Sequence, residues 1–189
     1  AERLLVANLV IGGITRSLGL AVAGRQHGVE STALNGLLHT GVVVAGDVSG
    51  GRGPVKNKPI RISNGNILAP GSTEKGPWRC FVDIFDGKEW RKKDLPVELE
   101  NAEKVNVIQP TLWESEAGNI HALVRSNIGR IYRSDSKDYG ETWSPIYPTD
   151  MPNNNSGIDI ARTDDGKLFL ISNPVKENWG ERTPLTVIC

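Results

Sequence analysis

Ser136-Lys137-Asp138-Tyr139-Gly140-Glu141-Thr142-Trp143 is the stretch on which the fold turns. A serine and an aspartate two residues apart can each accept hydrogen bonds from the backbone N–H groups of a tight turn, and a glycine two residues later permits positive φ. The tryptophan at the end supplies a large apolar anchor. A weaker copy lies upstream, Phe85-Asp86-Gly87-Lys88-Glu89-Trp90, which keeps the glycine and the tryptophan but places Phe85 where the first copy has Asp138. Trp90 and Trp143 are 53 residues apart.

A similar spacing recurs in the segments around the two copies. Pro59–Ser72, Pro110–Ser126 and Ile158–Pro174 each read as a strand, a glycine turn and a second strand, with turn glycines Gly65, Gly118 and Gly166 spaced by 53 and 48 residues. Alternating runs such as Asn119-Ile120-His121-Ala122-Leu123-Val124 fit half-buried hairpin strands. A further strand is expected after each hairpin, over Trp78–Phe85, Arg130–Ser134 and Pro184–Ile188. Four short antiparallel strands repeating every 40 to 50 residues is the pattern of a β-propeller blade. One twisted sheet cannot cover its own faces, so radial stacking gives each unit two neighbours. The expected fold is therefore all-β, with a plain antiparallel sandwich as the alternative.

The chain has 189 residues, with 22 Lys+Arg against 22 Asp+Glu. Zero net charge argues against a nucleic-acid or polybasic membrane-surface protein. No apolar run approaches the roughly 20 residues of a membrane-spanning helix, and the first residues do not read as a secretion signal. Cys80 and Cys189 support neither a disulfide framework nor a metal site. His27, His39 and His121 lack metal-ligand spacing, and no nucleotide loop or nucleophile elbow is present, so no metal or cofactor is expected. Residues 1–77 contain no aromatic side chain, and residues 1–53 only seven charged ones. Two regions are therefore expected: residues 1–45, an apolar glycine-containing segment that could belong to a blade, and residues 46–189, the propeller part.

The octapeptide fits S-x-D-x-G-x-T-W, the Asp-box, and the chain resembles sialidases and other bacterial-neuraminidase-repeat propellers from about Gly53 to Cys189. This resemblance implies six blades, of which about three four-stranded ones are expected here. It implies that the Asp-box is structural, in a turn between outer strands, away from the mouth where substrate binds. It further implies a glycan partner, an exo-hydrolase acting on terminal sialic acid or another acidic sugar, and an extracytoplasmic or secreted setting. Sialidases hold the sugar carboxylate with three arginines through charge-assisted hydrogen bonds and attack with a tyrosine activated by a glutamate, while an aspartate serves as acid and base.

Carried onto this sequence, the resemblance makes Glu114, four residues before the turn glycine, the activating base, and makes Arg130 and Arg182 carboxylate-binding arginines. The alternatives are a solvated turn glutamate at 114, Arg125 or Arg133 in place of Arg130, and an ion pair of Arg182 with Glu181 or Glu177. Lys58, Glu74, Gln109 and Asp159 occur at strand ends or in polar loops and are further candidates for lining a sugar pocket, as is Trp78, which could instead pack between blades. None of Tyr132, Tyr139 or Tyr147 matches the nucleophile position, which leaves a non-catalytic carbohydrate-binding propeller, or a hydrolase or lyase for another sugar, as rival readings. Exposed blade faces are expected to promote association.

Overall fold

The computed structural model describes residues 4–11, 14–21, 56–74 and 76–189. The chain divides into two compact units, Ala1–Ser49 and Gly50–Cys189. In the first, strands β1 (Leu4–Ile11) and β2 (Ile14–Ala21) pair antiparallel in register from Leu4 opposite Ala21 to Ile11 opposite Ile14. The turn-like GDVSGGRGP stretch from Gly46 lies outside the described residues.

The second unit is built of successive antiparallel sheets. The first is β3 (Ile60–Arg61), β4 (Ile67–Thr73), β5 (Arg79–Phe85) and β6 (Trp90–Asp94), in that order. A 3-10 turn, Leu99–Asn101, leads to the second sheet: β7 (Val107–Glu116), β8 (Asn119–Ser126), β9 (Arg130–Ser136) and β10 (Tyr147–Pro152). The third holds β11 (Asp159–Arg162), β12 (Leu168–Ser172) and β13 (Thr186–Ile188). Each sheet runs in chain order from its first strand outward, as a propeller blade does. Four strands were expected in the third sheet as well, and three are present among the described residues.

Gly65, Gly118 and Gly166 close the first hairpin of each sheet with φ of 91°, 84° and 84°, the left-handed conformation that a residue without Cβ reaches at no steric cost. Alternation then sorts the side chains. On β8 the sequence Ile120, Ala122, Val124 faces one way, into a core shared with Leu68, Val82 and Ile84 of the first sheet and Leu112 of β7. Leu123 faces the other way, joining Trp113, Ile131, Ile158, Ile160 and Leu170 in a second core against the third sheet. The middle sheet is thus buried on both faces, as blade stacking requires.

The Asp-box joins β9 to β10. Ser136 Oγ accepts from Gly140 N at 2.9 Å and donates to Asp138 Oδ1 at 2.7 Å, while Asp138 accepts from Thr142 N at 2.9 Å and Thr142 Oγ1 at 2.6 Å. Burial would raise the Asp138 carboxyl pKa, but the bonds from Thr142 and Ser136 outweigh it and hold that pKa below its usual range. Trp143, 8% exposed, bonds Gly140 O through Nε1 at 2.9 Å and packs into the first core. Gly140, at φ 88°, leaves room there, since a Cβ on it would meet Leu68 at 3.1 Å. In the degenerate copy Asp86 takes over the turn, accepting from Lys88 N and Glu89 N at 2.9 and 3.0 Å. Those bonds and one from Arg91 lower its pKa to about 2.

Candidate functional site

Strand direction gives each blade two chemically different ends. In the second sheet the turns β7–β8 and β9–β10 lie at one end, and the Tyr139 N to Gly118 O bond of 3.1 Å ties them together. The turn β8–β9, the entry to β7 and the entry to β11 lie at the other. We call these the Asp-box end and the mouth end.

Glu114 belongs to the Asp-box end. Its Oε1 accepts from Ser63 Oγ at 2.7 Å and Gly118 N at 3.0 Å, and its Oε2 accepts from Ser63 N at 2.7 Å. It therefore staples the β7–β8 turn to the β3–β4 turn of the preceding sheet. Five residues of strand separate it from Gln109, roughly 16 Å at about 3.3 Å per residue. Glu114, expected as an activating base, is placed as a turn residue that joins two blades through Ser63 and Gly118.

The mouth end gathers residues from all three sheets. From the segment before β3, Lys58 Nζ lies 3.0 Å from both carboxylate oxygens of Asp159 and donates to Ile160 O at 2.7 Å. Lys56 Nζ donates to Ile158 O at 2.8 Å, and Asn57 Nδ2 to the carbonyls of Gln109 and Pro110 at 3.0 and 2.9 Å. Burial of the Lys56 ammonium lowers its pKa, Asp159 opposes that, and Arg125 and Lys58 add to it. At the start of β11, Asp159 also accepts from Thr111 Oγ1 at 2.9 Å.

Arg125, near the end of β8, is the centre of the cluster. Its Nη1 donates to Gln109 Oε1 at 3.1 Å and its Nε to Asn155 Oδ1 at 3.0 Å, and its guanidinium lies 5.8 Å from the centroid of the Trp78 ring. Burial lowers its pKa, repulsion from Arg182 adds to that, and Glu74 opposes it. Arg182 and Glu74 thus stand close enough to act on Arg125 electrostatically. Both lie in loops that follow the second strand of a sheet, as Arg125 itself nearly does.

Gln109 reaches Arg125 through a bulge. The β7–β8 register shifts between Ile108 and Thr111, and Gln109 adopts φ 55°. A bulge re-aims a side chain that strict alternation would send elsewhere. Asn155 at φ 59° and Trp179 at φ 62° share this left-handed conformation. Of the four non-glycine residues with positive φ among the described residues, these three are at the mouth end and Tyr139 is in the Asp-box. Such outliers cost on the order of 1–3 kcal/mol each and persist where surrounding contacts enforce them. Here Trp179 N bonds Asn154 O at 3.1 Å, and buried Asn154 also donates to the carbonyls of Gly180 and Glu181. A sugar attached at its N-x-S sequon would break those bonds.

Of the expected site residues, the structure brings Arg125, Arg182, Lys58, Glu74, Gln109 and Asp159 to one end. Arg130, the first residue of β9, is exposed, and its carbonyl accepts a hydrogen bond from Ser126 Oγ at 2.7 Å. Lys56, Asn57, Thr111, Asn155 and Trp179 escaped the sequence reading. Their signal is faint, since a polar residue just ahead of an inner strand looks like any loop residue until the neighbouring blade is placed beside it.

The sequence matches the family described as BNR repeat-like domain over residues 43–189. The chain belongs to the BNR repeat-like domain family. No curated protein matches it. Among solved structures, this BNR chain is similar to the K499G mutant of NanB sialidase from Streptococcus pneumoniae, at 17% identity and a TM-score of 0.52, over 70% of this chain and 21% of that one. It is similar to Trypanosoma rangeli sialidase in complex with sialic acid, at 16% identity and a TM-score of 0.52, over 96% of this chain and 29% of that one. A Dyadobacter fermentans protein of unknown function matches at 18% identity and a TM-score of 0.53, over 61% of this chain and 33% of that one. At these identities the likeness is one of fold: the BNR chain is part of a sialidase-type β-propeller, and it spans a fifth to a third of the length of these proteins.

Proposed function

We propose that this chain carries the acidic-sugar-binding part of a sialidase-like propeller that acts on the terminal residue of a glycan. The observation that carries the reading is the Arg125 centre: a half-buried guanidinium electrostatically coupled to Arg182 on the next sheet, with Lys56 and Lys58 adjacent. Two guanidinium groups that repel one another in a partly desolvated setting are relieved by a bound carboxylate, which accepts charge-assisted hydrogen bonds from both. Gln109 and Asn155 hold Arg125 by neutral oxygens, so the bonds that orient it do not neutralise its charge, while Glu74 opposes the repulsion from Arg182.

N-acetylneuraminic acid titrated into the full chain and followed by saturation-transfer NMR tests the proposal. Binding is expected, and Arg125→Ala and Arg182→Ala are each expected to weaken it at least about tenfold, the loss of one charge-assisted contact. Affinity unchanged in both variants would sink the reading.

A second reading, a binding propeller without turnover, is favoured by one observation. Tyr139 lies in the Asp-box, Tyr147 OH donates to Asp135 at 2.5 Å, and Tyr132 packs against the first core, so no tyrosine of this chain reaches Arg125. A fluorogenic sialoside separates the two, since release of the fluorophore by the full protein requires turnover and sialic acid binding alone does not.

A further inference from the structure

Away from the mouth, a row of polar side chains crosses the middle sheet. His121 stands on β8 four residues before Arg125, roughly 13 Å along the strand at about 3.3 Å per residue. Its Nε2 lies 2.8 Å from Ser115 Oγ on β7, and its Nδ1 lies 2.5 Å from Asp135 Oδ1 on β9. We propose that Ser115 is an acyl-accepting nucleophile with His121 as its general base, and that this blade thereby hydrolyses small neutral carboxylic esters such as acetyl esters. The proposal does not rest on the reading of the Arg125 centre.

Geometry is the first ground. A serine within hydrogen-bond reach of a base, with the base held by a third group, is the arrangement that activates a hydroxyl as nucleophile. Strand pairing builds it here. His121 is the cross-strand partner of Trp113 on one side and of Asp135 on the other, and Ser115, two residues beyond Trp113, reaches the far nitrogen of the ring.

The tautomer is the second. At 2.5 Å from a carboxylate oxygen Nδ1 must carry a proton, because a lone pair there would be repelled; in the neutral ring Nε2 is then the acceptor for Ser115 Oγ–H. Arg133 Nε and Nη2 reach the same Asp135 oxygen at 2.9 and 2.8 Å, and this shared target brings Nη2 within 2.9 Å of Nδ1. The other Asp135 oxygen accepts from Tyr147 OH. Burial would raise the Asp135 carboxyl pKa, but the bonds from His121, Tyr147 and Arg133 outweigh it and hold that pKa below its usual range. The ionised carboxylate orients the imidazole and stabilises the imidazolium that forms when the serine gives up its proton.

A fixed base beside an accessible nucleophile is the third ground. The Trp113 ring stacks on the imidazole, centroids 4.8 Å apart and planes at 29°, and the Arg133 guanidinium lies 5.5 Å from the Trp113 centroid. Ser115 is exposed and sits where the β7–β8 register shifts, between Glu114 and Glu116. A bulge of this kind re-aims a side chain and recurs beside active sites. The flanking glutamates repel an anionic acyl group, which leaves a small neutral one as the fitting substrate.

In the reaction Ser115 Oγ bonds to the acyl carbon while its proton passes to His121 Nε2. The ester C–O bond breaks, and the leaving alkoxide takes that proton. Water then attacks the acyl-serine and gives a proton to Nε2; the Ser115 oxygen leaves, recovers that proton, and the carboxylic acid is released.

The full chain treated with para-nitrophenyl acetate, and separately with a fluorophosphonate probe followed by peptide mass spectrometry, tests this. Turnover of the ester above buffer background and a label on Ser115 are expected. Ser115→Ala, a change at an exposed residue, is expected to lower the turnover at least about a hundredfold, as is His121→Gln, which is also expected to leave Ser115 unlabelled. Asp135→Glu keeps a carboxylate at Nδ1 and is expected to retain labelling that Asp135→Asn loses, with the circular dichroism of both unchanged. The proposal is overturned if Ser115 of the wild type is not labelled, if Ser115→Ala turns the ester over as fast as wild type, or if labelling is equal in wild type and His121→Gln.

Discussion

Asp138 and Glu114 are both carboxylates whose oxygens are spent on backbone and hydroxyl donors at the Asp-box end, and they answer different questions. With the Asp138 pKa held below its ordinary value, its contribution to stability is fully present above the unfolded-chain pKa of about 4 and is lost as pH falls through the depressed folded value. Asp138→Asn is expected to cost about 1–2 kcal/mol at neutral pH and to flatten the acid limb of a Tm-versus-pH curve; an unchanged acid limb would show that the box does not titrate with folding. Glu114→Ala is expected to lose about 0.5–1.5 kcal/mol in urea unfolding by removing the bonds from Ser63 and Gly118, and to leave sugar binding intact. The octapeptide was legible because the bonds of Ser136, Asp138 and Thr142 that shape its turn all close within four residues. The bonds of Glu114 to the preceding blade were not legible, because strand position alone does not say which end of a blade a residue occupies. Arg125 was legible only as one of three arginines, since its partners Gln109 and Asn155 lie 16 and 30 residues away.

Among the elements, the glycine turns and the strands that follow them stand where the repeat placed them, because a period-2 pattern and a positive-φ glycine are written within a few residues. The bulge at Gln109 is marked in the run Val107-Ile108-Gln109-Pro110-Thr111 only by Pro110, and a proline fits an edge strand as well as a bulge. The third sheet shows the cost of a blade face without a neighbour among the described residues. Ile171 and Val187 are cross-strand partners, 41% and 64% exposed, on the side of β12 and β13 opposite Leu170. Paired exposed aliphatic residues on an open sheet favour edge and face association. Val187→Lys combined with Ile171→Lys is expected to shift the chain toward monomer in sedimentation velocity, with little loss of stability; unchanged self-association would place the contact elsewhere.

At the scale of the whole molecule, the balance of 22 cations and 22 anions conceals an uneven distribution, with Lys56, Lys58, Arg125 and Arg182 met at the mouth by Glu74 and Asp159. Salt should act on the acidic-sugar site. Raising ionic strength to 1 M shortens the screening length to about 3 Å, so N-acetylneuraminic acid binding is expected to weaken several-fold. Unchanged affinity would mean that charge does not hold the sugar. The three residues ahead of β3 have a different kind of consequence. Lys56, Asn57 and Lys58 find their partners 102, 52 and about 101 residues later in the chain. During synthesis, at about 5–20 residues per second, the first blade would leave the ribosome several seconds before Asp159 emerges to receive Lys58. The framework end can close as each hairpin appears, but the mouth waits for the third sheet. A nascent chain stalled before residue 158 would therefore hold stacked strands and no assembled cation centre, so that ligand competence arrives late and all at once.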